Sequence, residues 1–289
     1  MRILVLGASG MLGSAMIRVL DEHGDFDVYG SARSIDVGRF FPTKIAQRLI
    51  SGVDVENHDA LITAFSQVRP QLVINCVGLI KQLSEASDPL RSIPVNALLP
   101  HRLARLCGVS GARLVHISTD CVFSGGQGGY SESDPSDARD LYGVSKYLGE
   151  VHYPDTVTLR TSIIGHALDN SNGLIDWFLA QQGQCRGFTR AVFSGLPSVV
   201  LAQVVRDVII PDSGLHGLYH VAADPIAKFD LLELVAEVYG KSIEIIPDDS
   251  LQVDRSLNAE RFRAATDYVV PDWPELIRVM HSYYSKAVN

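Results

Sequence analysis

Three observations predict an α/β fold built on a doubly wound parallel sheet. Short β-branched runs alternate with amphipathic helical segments over the first half of the chain. These runs are continuously apolar, as expected for strands that are covered on both faces. A glycine-rich turn joins the first run to the first helical segment. Strands that alternate with helices form right-handed βαβ units in one sheet, so the first half predicts such a sheet.

The predicted elements follow from these patterns in chain order. In the first half we predict strands at 3–6, 26–29, 72–76, 114–117 and 157–160, with helices at 11–20, 60–68 and 96–107. In the second half we predict helices at 174–182, 198–207, 229–239 and 273–284, strands at 218–221 and 243–246, and a loop over 194–197.

Composition and charge exclude several classes of protein. The net charge of -8 argues against nucleic acid or an anionic membrane as the main partner, because both need a basic face. No run of 18 apolar residues predicts a membrane span. The four cysteines form no CxxC pair, so we expect neither a metal site nor a disulfide framework. The chain begins on a strand-like run without a signal peptide, and we expect a cytoplasmic protein.

The glycine-rich turn Gly7-Ala8-Ser9-Gly10-Met11-Leu12-Gly13 predicts a Rossmann-type dinucleotide site. Gly7 permits the tight turn, Gly10 lets backbone N–H groups approach a pyrophosphate, and Gly13 lets helix and strand pack closely. The spacing is GxxGxxG rather than GxGxxG, and glycines that merely cap a helix are the alternative. The residues of the turn predicted to contact the cofactor are Gly7, Ser9, Gly10, Met11, Leu12 and Gly13.

The end of the second strand favours NADPH over NADH. A carboxylate there would hold the adenosine ribose hydroxyls, but the chain reads Tyr29-Gly30-Ser31-Ala32-Arg33. Ser31 and Arg33 can bind a 2′-phosphate through charge-assisted hydrogen bonds. A solvated Arg33 is the alternative, and use of NADH stays open. Asp54 and Val55 are expected beside the adenine, and Cys76, Val77 and Gly78 along the cofactor.

The segment Tyr142-Gly143-Val144-Ser145-Lys146 is a YxxxK motif. Positions i and i+4 share one face of a helix, so the Lys146 ammonium can act on the Tyr142 phenol. A nearby cation lowers the pKa of a phenol and makes it a usable general acid or base. Ser118-Thr119 follows a predicted strand and can donate a hydrogen bond to a carbonyl oxygen. A YxxxK sequence on its own is common by chance. Here it follows the glycine turn and the Ser-Thr pair in order, which favours a catalytic role.

These motifs, with segments 73–76, 113–120, 122–123, 149–150 and 159–162, resemble extended short-chain dehydrogenases/reductases, and most closely the dTDP-4-dehydrorhamnose reductase family. The resemblance implies that NAD(P)H reduces C4 of a nucleotide-linked 4-keto-6-deoxy sugar in polysaccharide precursor synthesis. Thr119 and Tyr142 would polarise and protonate the ketone oxygen, and Lys146 would support Tyr142. It also implies a Rossmann domain over 1–165, with a return segment near 198–222, and a smaller α/β substrate-binding part over 166–289.

The remaining predicted site residues rest on the resemblance and on chain order. Further cofactor contacts are expected from Asn96, Ser118 and Arg160, and substrate contacts from Lys81, Phe123, Trp177, Arg190 and Ser194. Arg186 and Arg190 can clamp a diphosphate or lie in a solvated loop, and Trp177 can stack on a base or pack in the core. His116 is expected in the core, and His216 and His220 in structural or solvated roles.

Several departures leave alternatives open. Cys121 and Ser124 stand where relatives often have Tyr and Asp, and the loop Ile80-Lys81-Gln82 lacks an acidic run, so the sugar and nucleotide stay undefined. Thr119 is followed by Asp120-Cys121 rather than the Asp-Glu pair of the 4,6-dehydratases, which argues against dehydration. An epimerase-reductase and an NADP-binding regulatory subunit without catalysis remain as alternatives. The resemblance is also compatible with a homodimer.

Overall fold

The computed structural model describes residues 1–81, 84–168 and 173–288. The strands are β1 (Arg2–Leu6), β2 (Asp27–Ala32), β3 (Leu49–Ser51), β4 (Leu72–Asn75), β5 (Arg113–Thr119), β6 (Thr156–Thr161), β7 (Ile163–Ile164), β8 (Gln184–Phe188), β9 (Ala191–Phe193), β10 (Leu196–Pro197), β11 (Gly217–His220), β12 (Ile226–Ala227), β13 (Glu244–Asp248) and β14 (Val253–Asp254). The helices are α1 (Met11–Asp21), α2 (Thr43–Ala46), α3 (His58–Val68), α4 (Pro89–Ser92), α5 (Leu99–Ser110), α6 (Leu141–Leu148), α7 (Leu174–Ala180), α8 (Ser198–Val204), α9 (Lys228–Tyr239), α10 (Glu260–Thr266) and α11 (Trp273–Val288).

A seven-stranded sheet with the order β11-β6-β5-β4-β1-β2-β3 confirms the predicted Rossmann-type fold. The pairs β1–β2, β1–β4, β2–β3 and β4–β5 are parallel. Strand order reverses between β1 and β4, and α/β sheets bind ligands at the carboxyl ends of the strands beside such a reversal. All four residues of β4 are buried, as the continuous apolar pattern predicts.

The helices that cover the sheet begin and end at residues suited to those positions. The Asn57 side chain caps α3 by accepting hydrogen bonds from the backbone N–H groups of Asp59 and Ala60. At the end of α5, Gly111 adopts a left-handed conformation with φ of 69°. One core cluster joins Leu61 and Phe65 of α3 to Leu103 of α5 and to Leu4 of β1, which fixes both helices against the sheet.

The chain divides into two compact units. The first unit contains Met1–Thr119, Arg139–Leu159 and Ala202–Leu218, and the second contains Asp120–Ala138, Arg160–Leu201 and Tyr219–Asn289. The second unit has small sheets of its own, with the orders β10-β7, β12-β9-β14 and β13-β8. Across the described residues, no helix combines the length and the apolar character that a bilayer crossing requires.

Several predicted boundaries were wrong. The predicted second strand ends at Ala32 rather than Tyr29, so Ser31 lies inside the strand. The predicted helix at 96–107 starts at Pro89, because Asp88 caps it and accepts from the Leu90 N–H, and it passes through a π-helix at Ile93–Leu98. The predicted loop at 194–197 contains β10, which pairs in parallel with β7.

Candidate active site

The glycine turn after β1 has the close backbone contacts that its three glycines predict. Gly7 has a φ of 90°, a conformation that favours glycine, and its N–H donates to the Ser31 carbonyl oxygen at 3.1 Å. A Cβ at Gly13 would overlap with the carbonyl oxygen of Gly7. The first turn of α1 therefore lies directly on the turn, and neither Gly7 nor Gly13 tolerates a side chain without a shift of the backbone.

The N-terminus of α1 fits the pyrophosphate of a dinucleotide. Its N-cap is Gly10, which is exposed and supplies no side chain that accepts from the backbone N–H groups of the first turn. The first turn contains no acidic residue that would repel an anion. Exposed N–H groups and the positive end of the helix dipole bind phosphate groups. Ser9 is also exposed, and Met11 is half-buried.

The residues predicted to select the adenosine half lie in two environments. Ser31 is buried at the carboxyl end of β2, whereas Arg33 is exposed just beyond it. Asp54 is exposed, and its carboxylate accepts from the Glu56 N–H at 3.0 Å. Val55 packs partly against the core of the first unit. Of the four residues predicted to contact the adenosine half of the cofactor, Arg33 is therefore the one whose side chain is an exposed cation.

The carboxyl end of β4 is held by a buried amide. The Asn75 side chain donates to His116 Nδ1 at 3.1 Å and accepts from the Val77 N–H at 3.1 Å. A Cβ at Gly78 would lie 3.4 Å from Asn96 Oδ1 and 3.8 Å from Lys146 Nζ. Burial raises the pKa of the Cys76 thiol to about 12, so the thiol stays protonated at neutral pH. Cys76, Val77 and Gly78 therefore form a neutral segment directly after β4 and beside Lys146.

The side chains of Tyr142 and Lys146 lie one turn apart on α6, as the YxxxK spacing predicts. Asp140 caps this helix by accepting from the Gly143 N–H at 3.0 Å. Tyr142 is half-buried, whereas Lys146 is only 6% exposed. The Lys146 ammonium donates to the Ile117 carbonyl oxygen of β5 at 2.8 Å. This bond fixes the ammonium against the strand that ends in Thr119.

The electrostatic setting of Lys146 lowers the pKa of its ammonium to about 8. Burial is the largest cause, while the charge of Glu150 opposes it. His116, which is fully buried in β5 as predicted, has a pKa well below its ordinary value for the same reason and is neutral. The ammonium is therefore mostly protonated at neutral pH, and the groups that influence it include neutral His116 and the Glu150 carboxylate.

The carboxyl end of β5 carries the two predicted hydroxyl groups. Both Ser118 and Thr119 are buried. Ser118 Oγ donates to Glu150 Oε1 at 2.7 Å, so the hydroxyl proton of Ser118 already takes part in a hydrogen bond within the protein. The sequence pattern does not predict this contact, because 32 residues of chain separate Glu150 from Ser118.

Asn96 connects the π-helix to the loop after β4 and to α6. Its side chain accepts from the Leu79 N–H at 2.9 Å and donates to the Leu79 carbonyl oxygen at 3.2 Å. It also lies within 3.3 Å of the hydroxyl groups of Ser92 and Ser145. A Cβ at Gly149 would overlap with the Asn96 carbonyl oxygen, so the two helices meet at a glycine. Asn96 thus holds the loop in place, a role that chain order does not reveal.

The other predicted contacts are spread over both units. In the first unit, Lys81 is exposed and pairs with Asp140 at 3.1 Å, while Gln82 of the same predicted loop lies outside the described residues. In the second unit, Trp177 and Arg190 are exposed. Arg186 lies in β8 rather than in a loop, and pairs with Asp248 at 3.3 Å.

Two predicted substrate contacts are instead buried in the second unit. Phe123 is fully buried and stacks on Tyr130 with ring centroids 4.1 Å apart, so its ring has no surface for a substrate. Ser194 is buried, and its hydroxyl oxygen accepts from the Leu257 N–H at 2.9 Å. Both side chains are thus engaged inside the second unit, because aromatic and hydroxyl side chains suit a core as well as a site.

Arg160, the predicted cofactor contact at the end of β6, is also buried in the second unit. Its guanidinium lies 5.2 Å from the centroid of the Phe123 ring and 3.3 Å from His220 Nε2. His220 also contacts the Tyr130 carbonyl oxygen, while exposed His216 contacts that of Gly214. Within the described parts of the chain, no group of His, Cys, Asp and Glu side chains could hold a metal ion.

Comparison with known proteins gives consistent matches over most of the chain. A reductase from Haloferax volcanii, described as a probable low-salt glycan biosynthesis reductase, is 29% identical over 91% of this chain and 88% of its own length. A dTDP-4-dehydrorhamnose reductase from Aggregatibacter actinomycetemcomitans is 26% identical over 85% of this chain and 82% of its own. The crystal structure of a dTDP-4-dehydrorhamnose reductase from Bacillus anthracis with NADP has a TM-score of 0.79 at 21% identity, and covers 98% of this chain and 99% of its own.

The model of the family described as RmlD substrate binding domain matches residues 1–260. This match covers the glycine turn, the strand end at Thr119 and the Tyr142/Lys146 pair, and it confirms the resemblance drawn from those motifs. The chain therefore belongs to the RmlD substrate binding domain family, within the extended short-chain dehydrogenases/reductases.

Proposed function

We propose that this protein uses NADPH to reduce the 4-keto group of a nucleotide-linked deoxy sugar. The observation that carries the proposal is the placement of three features in the first unit. The glycine turn follows β1, Thr119 ends β5, and Lys146 of α6 is bonded to β5. The carboxyl ends of parallel strands meet at one edge of a sheet, where α/β proteins bind their ligands.

The residues divide the work of ketone reduction as follows. The N-terminus of α1 would hold the pyrophosphate of the cofactor, and Arg33 would hold its 2′-phosphate. When bound, the nicotinamide supplies the hydride that reduces the carbonyl carbon. Thr119 donates a hydrogen bond to the ketone oxygen, and Tyr142 gives that oxygen its proton. Lys146 stabilises the phenolate that Tyr142 becomes, and the product is an alcohol.

The sugar-nucleotide substrate is supported by the relatives rather than by a substrate pocket. Both curated relatives are named as reductases, one of glycan biosynthesis and one of dTDP-4-dehydrorhamnose. We accordingly propose a role in glycan or polysaccharide precursor synthesis. Cofactor binding falls to the part around residues 1–165, with a return segment near 198–222, and substrate contacts to 166–289. The proposed contacts with the base and phosphates are the exposed Trp177 and Arg190 of this part, with exposed Lys81 of the cofactor-binding part as a further contact.

A panel of nucleotide-linked 4-keto sugars, followed by NADPH absorbance, tests the proposal together with Tyr142→Phe. We expect one member of the panel to be reduced, and Tyr142→Phe to lower kcat by roughly 100- to 10,000-fold, because it removes the proton donor. NADPH binding, measured by fluorescence, should survive. Tyr147→Phe, which alters an exposed tyrosine on the same helix, is the matched control.

Two outcomes would contradict the proposal. Undiminished turnover in Tyr142→Phe would remove the assigned acid. NADPH binding by the wild type without reduction of any sugar in the panel would favour a regulatory subunit without catalysis.

A further inference from the structure

Glu150 is a buried carboxylate that the reaction described above does not use. It lies two residues beyond the end of α6 and is 6% exposed. Its Oε1 accepts the proton of Ser118 Oγ at 2.7 Å. Its backbone N–H donates to the Tyr147 carbonyl oxygen at 3.1 Å, which ties it to the last turn of the helix. Burial of a charged carboxylate lowers the stability of the fold unless the carboxylate is paired with a cation or hydrogen-bonded. The burial of Glu150 therefore indicates that its carboxylate interacts with nearby groups.

Two hydrogen bonds join this part of the chain to consecutive residues of β5. Lys146 Nζ donates to the carbonyl oxygen of Ile117, and the next residue, Ser118, donates to Glu150. Gly149 between them keeps a helical conformation, with φ of -89° and ψ of -1°. Glu150 therefore stands four positions after Lys146 on a nearly continuous helical path, at the spacing that brings side chains together.

Two other titratable groups near Lys146, the Cys76 thiol and the His116 imidazole, supply no negative charge at neutral pH. The Cys76 thiol at the end of β4 stays protonated, since burial raises its pKa to about 12. His116 in β5 is neutral, because burial and the Lys146 charge lower its pKa. The charge of Glu150 is the largest influence that favours the protonated form of Lys146. Tyr142 lies one turn earlier on the same helix.

We propose that Glu150 is a positioning residue, whose buried carboxylate holds the Ser118 hydroxyl and keeps the neighbouring Lys146 ammonium charged. The functional consequence of this role rests on the proposed reductase activity, because a neutral Lys146 would no longer stabilise the Tyr142 phenolate. The cation itself, however, exists without cofactor or substrate, and its charge state can be measured directly.

The test is an NMR titration of the protein labelled with ¹³C at the lysine ε-carbon, with Lys146 assigned through Lys146→Arg. We expect a wild-type midpoint near pH 8. Glu150→Gln keeps the shape and an oxygen for Ser118 but removes the charge, and it should lower the midpoint by about one pH unit or more. Glu150→Asp, which keeps the charge but moves it, should give an intermediate midpoint.

Glu233→Gln is the matched control, since it makes the same change to an exposed carboxylate on α9 and should leave the midpoint unchanged. An unchanged midpoint in folded Glu150→Gln, judged by circular dichroism, would overturn the proposal. If that variant does not fold, an unchanged midpoint in Glu150→Asp would overturn it equally.

The titration also separates this inference from the proposed function. If the Lys146 midpoint falls in Glu150→Gln but the wild type reduces no sugar, the positioning role of Glu150 is supported and the reductase activity is refuted. If the wild type reduces a sugar but the midpoint does not change, the reductase activity is supported and the role of Glu150 is refuted.

Discussion

Lys146 combines burial with a charge that its proposed role requires. Its pKa of about 8 in the folded protein lies below the ordinary lysine value of 10.5. The folded state therefore binds its proton less tightly than the unfolded state does. The resulting loss of stability is present at neutral pH and disappears as the pH rises from about 8 towards 10.5. This loss is the cost of placing an ammonium group beside β5 rather than in water.

At the residue scale, the proposed preference for NADPH rests on Arg33. We expect Arg33→Ala to weaken NADPH binding by roughly tenfold to a hundredfold and NADH binding far less, because a charge-assisted bond to the 2′-phosphate contributes about 1.5 to 3 kcal/mol. Fluorescence titration with each cofactor measures the difference. Arg39→Ala, at another exposed arginine of the same segment, is the control. Equal losses for the two cofactors would remove the 2′-phosphate assignment.

Some residues of the candidate site follow from spacing alone, and others do not. The proximity of Tyr142 and Lys146 could be predicted, because residues four positions apart lie on the same face of a helix. The partners of Ser118 and Leu79 could not, because Glu150 and Asn96 reach them across 32 and 17 residues of chain. The burial of Phe123 could not be predicted either, because an aromatic side chain shortly after a strand suits a core as well as a substrate pocket.

At the scale of elements, the packing of α1 against the turn after β1 depends on Gly13. A methyl group there would overlap with the Gly7 carbonyl oxygen, so Gly13→Ala forces the helix away from the turn. We expect a loss of about 1 to 3 kcal/mol of stability, the usual effect of overpacking, together with weaker NADPH binding. Thermal unfolding and fluorescence titration measure the two effects.

Gly108→Ala is the contrasting control for this prediction. Gly108 lies within α5, and a Cβ there would contact nothing within 4 Å. This substitution should raise stability by about 0.5 to 1 kcal/mol, because alanine loses less backbone entropy in a helix. A Gly13→Ala protein as stable as the wild type would contradict the packing argument.

The elements themselves were predictable to different degrees. Continuous apolar runs identify β1, β4 and β5, because a parallel strand that is covered on both faces has no solvent-exposed face that would carry polar side chains. The short strands β8, β9 and β10 carry no such signal, and their pairing partners are distant in the chain. The π-helix at Ile93–Leu98 is likewise invisible in a pattern that reads as an ordinary helix.

At the scale of the whole molecule, the chain needs a helix beyond the part that the family model matches. The match ends at residue 260, whereas α11 begins at Trp273. Among the side chains of α11 that the structure describes, the buried ones are Trp273, Leu276, Ile277 and Met280. Trp273 Nε1 also donates to the Asp224 carbonyl oxygen at 2.7 Å. These contacts lie within the second unit, so α11 belongs to its core.

We expect a chain that ends at Asp267 to lose cooperative folding of the second unit. Each buried apolar side chain contributes about 1.5 to 3 kcal/mol, and four of them together approach the whole stability of a typical domain. Urea unfolding with limited proteolysis measures the loss. A chain lacking only residues 287–289 is the control. Native-like protease resistance of residues 219–267 in the shorter chain would contradict the prediction.

The paired hydrogen bonds between Asn96 and the backbone of Leu79 have a practical consequence for redesign. They fix the main chain at one defined point, so sequence changes beyond Leu79 need not disturb the segment from the end of β4 to Gly78. An exchange of the following segment with that of a relative should therefore start at Ile80. Such chimaeras would show whether the segment after Leu79 contributes to the choice of the proposed substrate, with Tyr142 and Lys146 left in their original places.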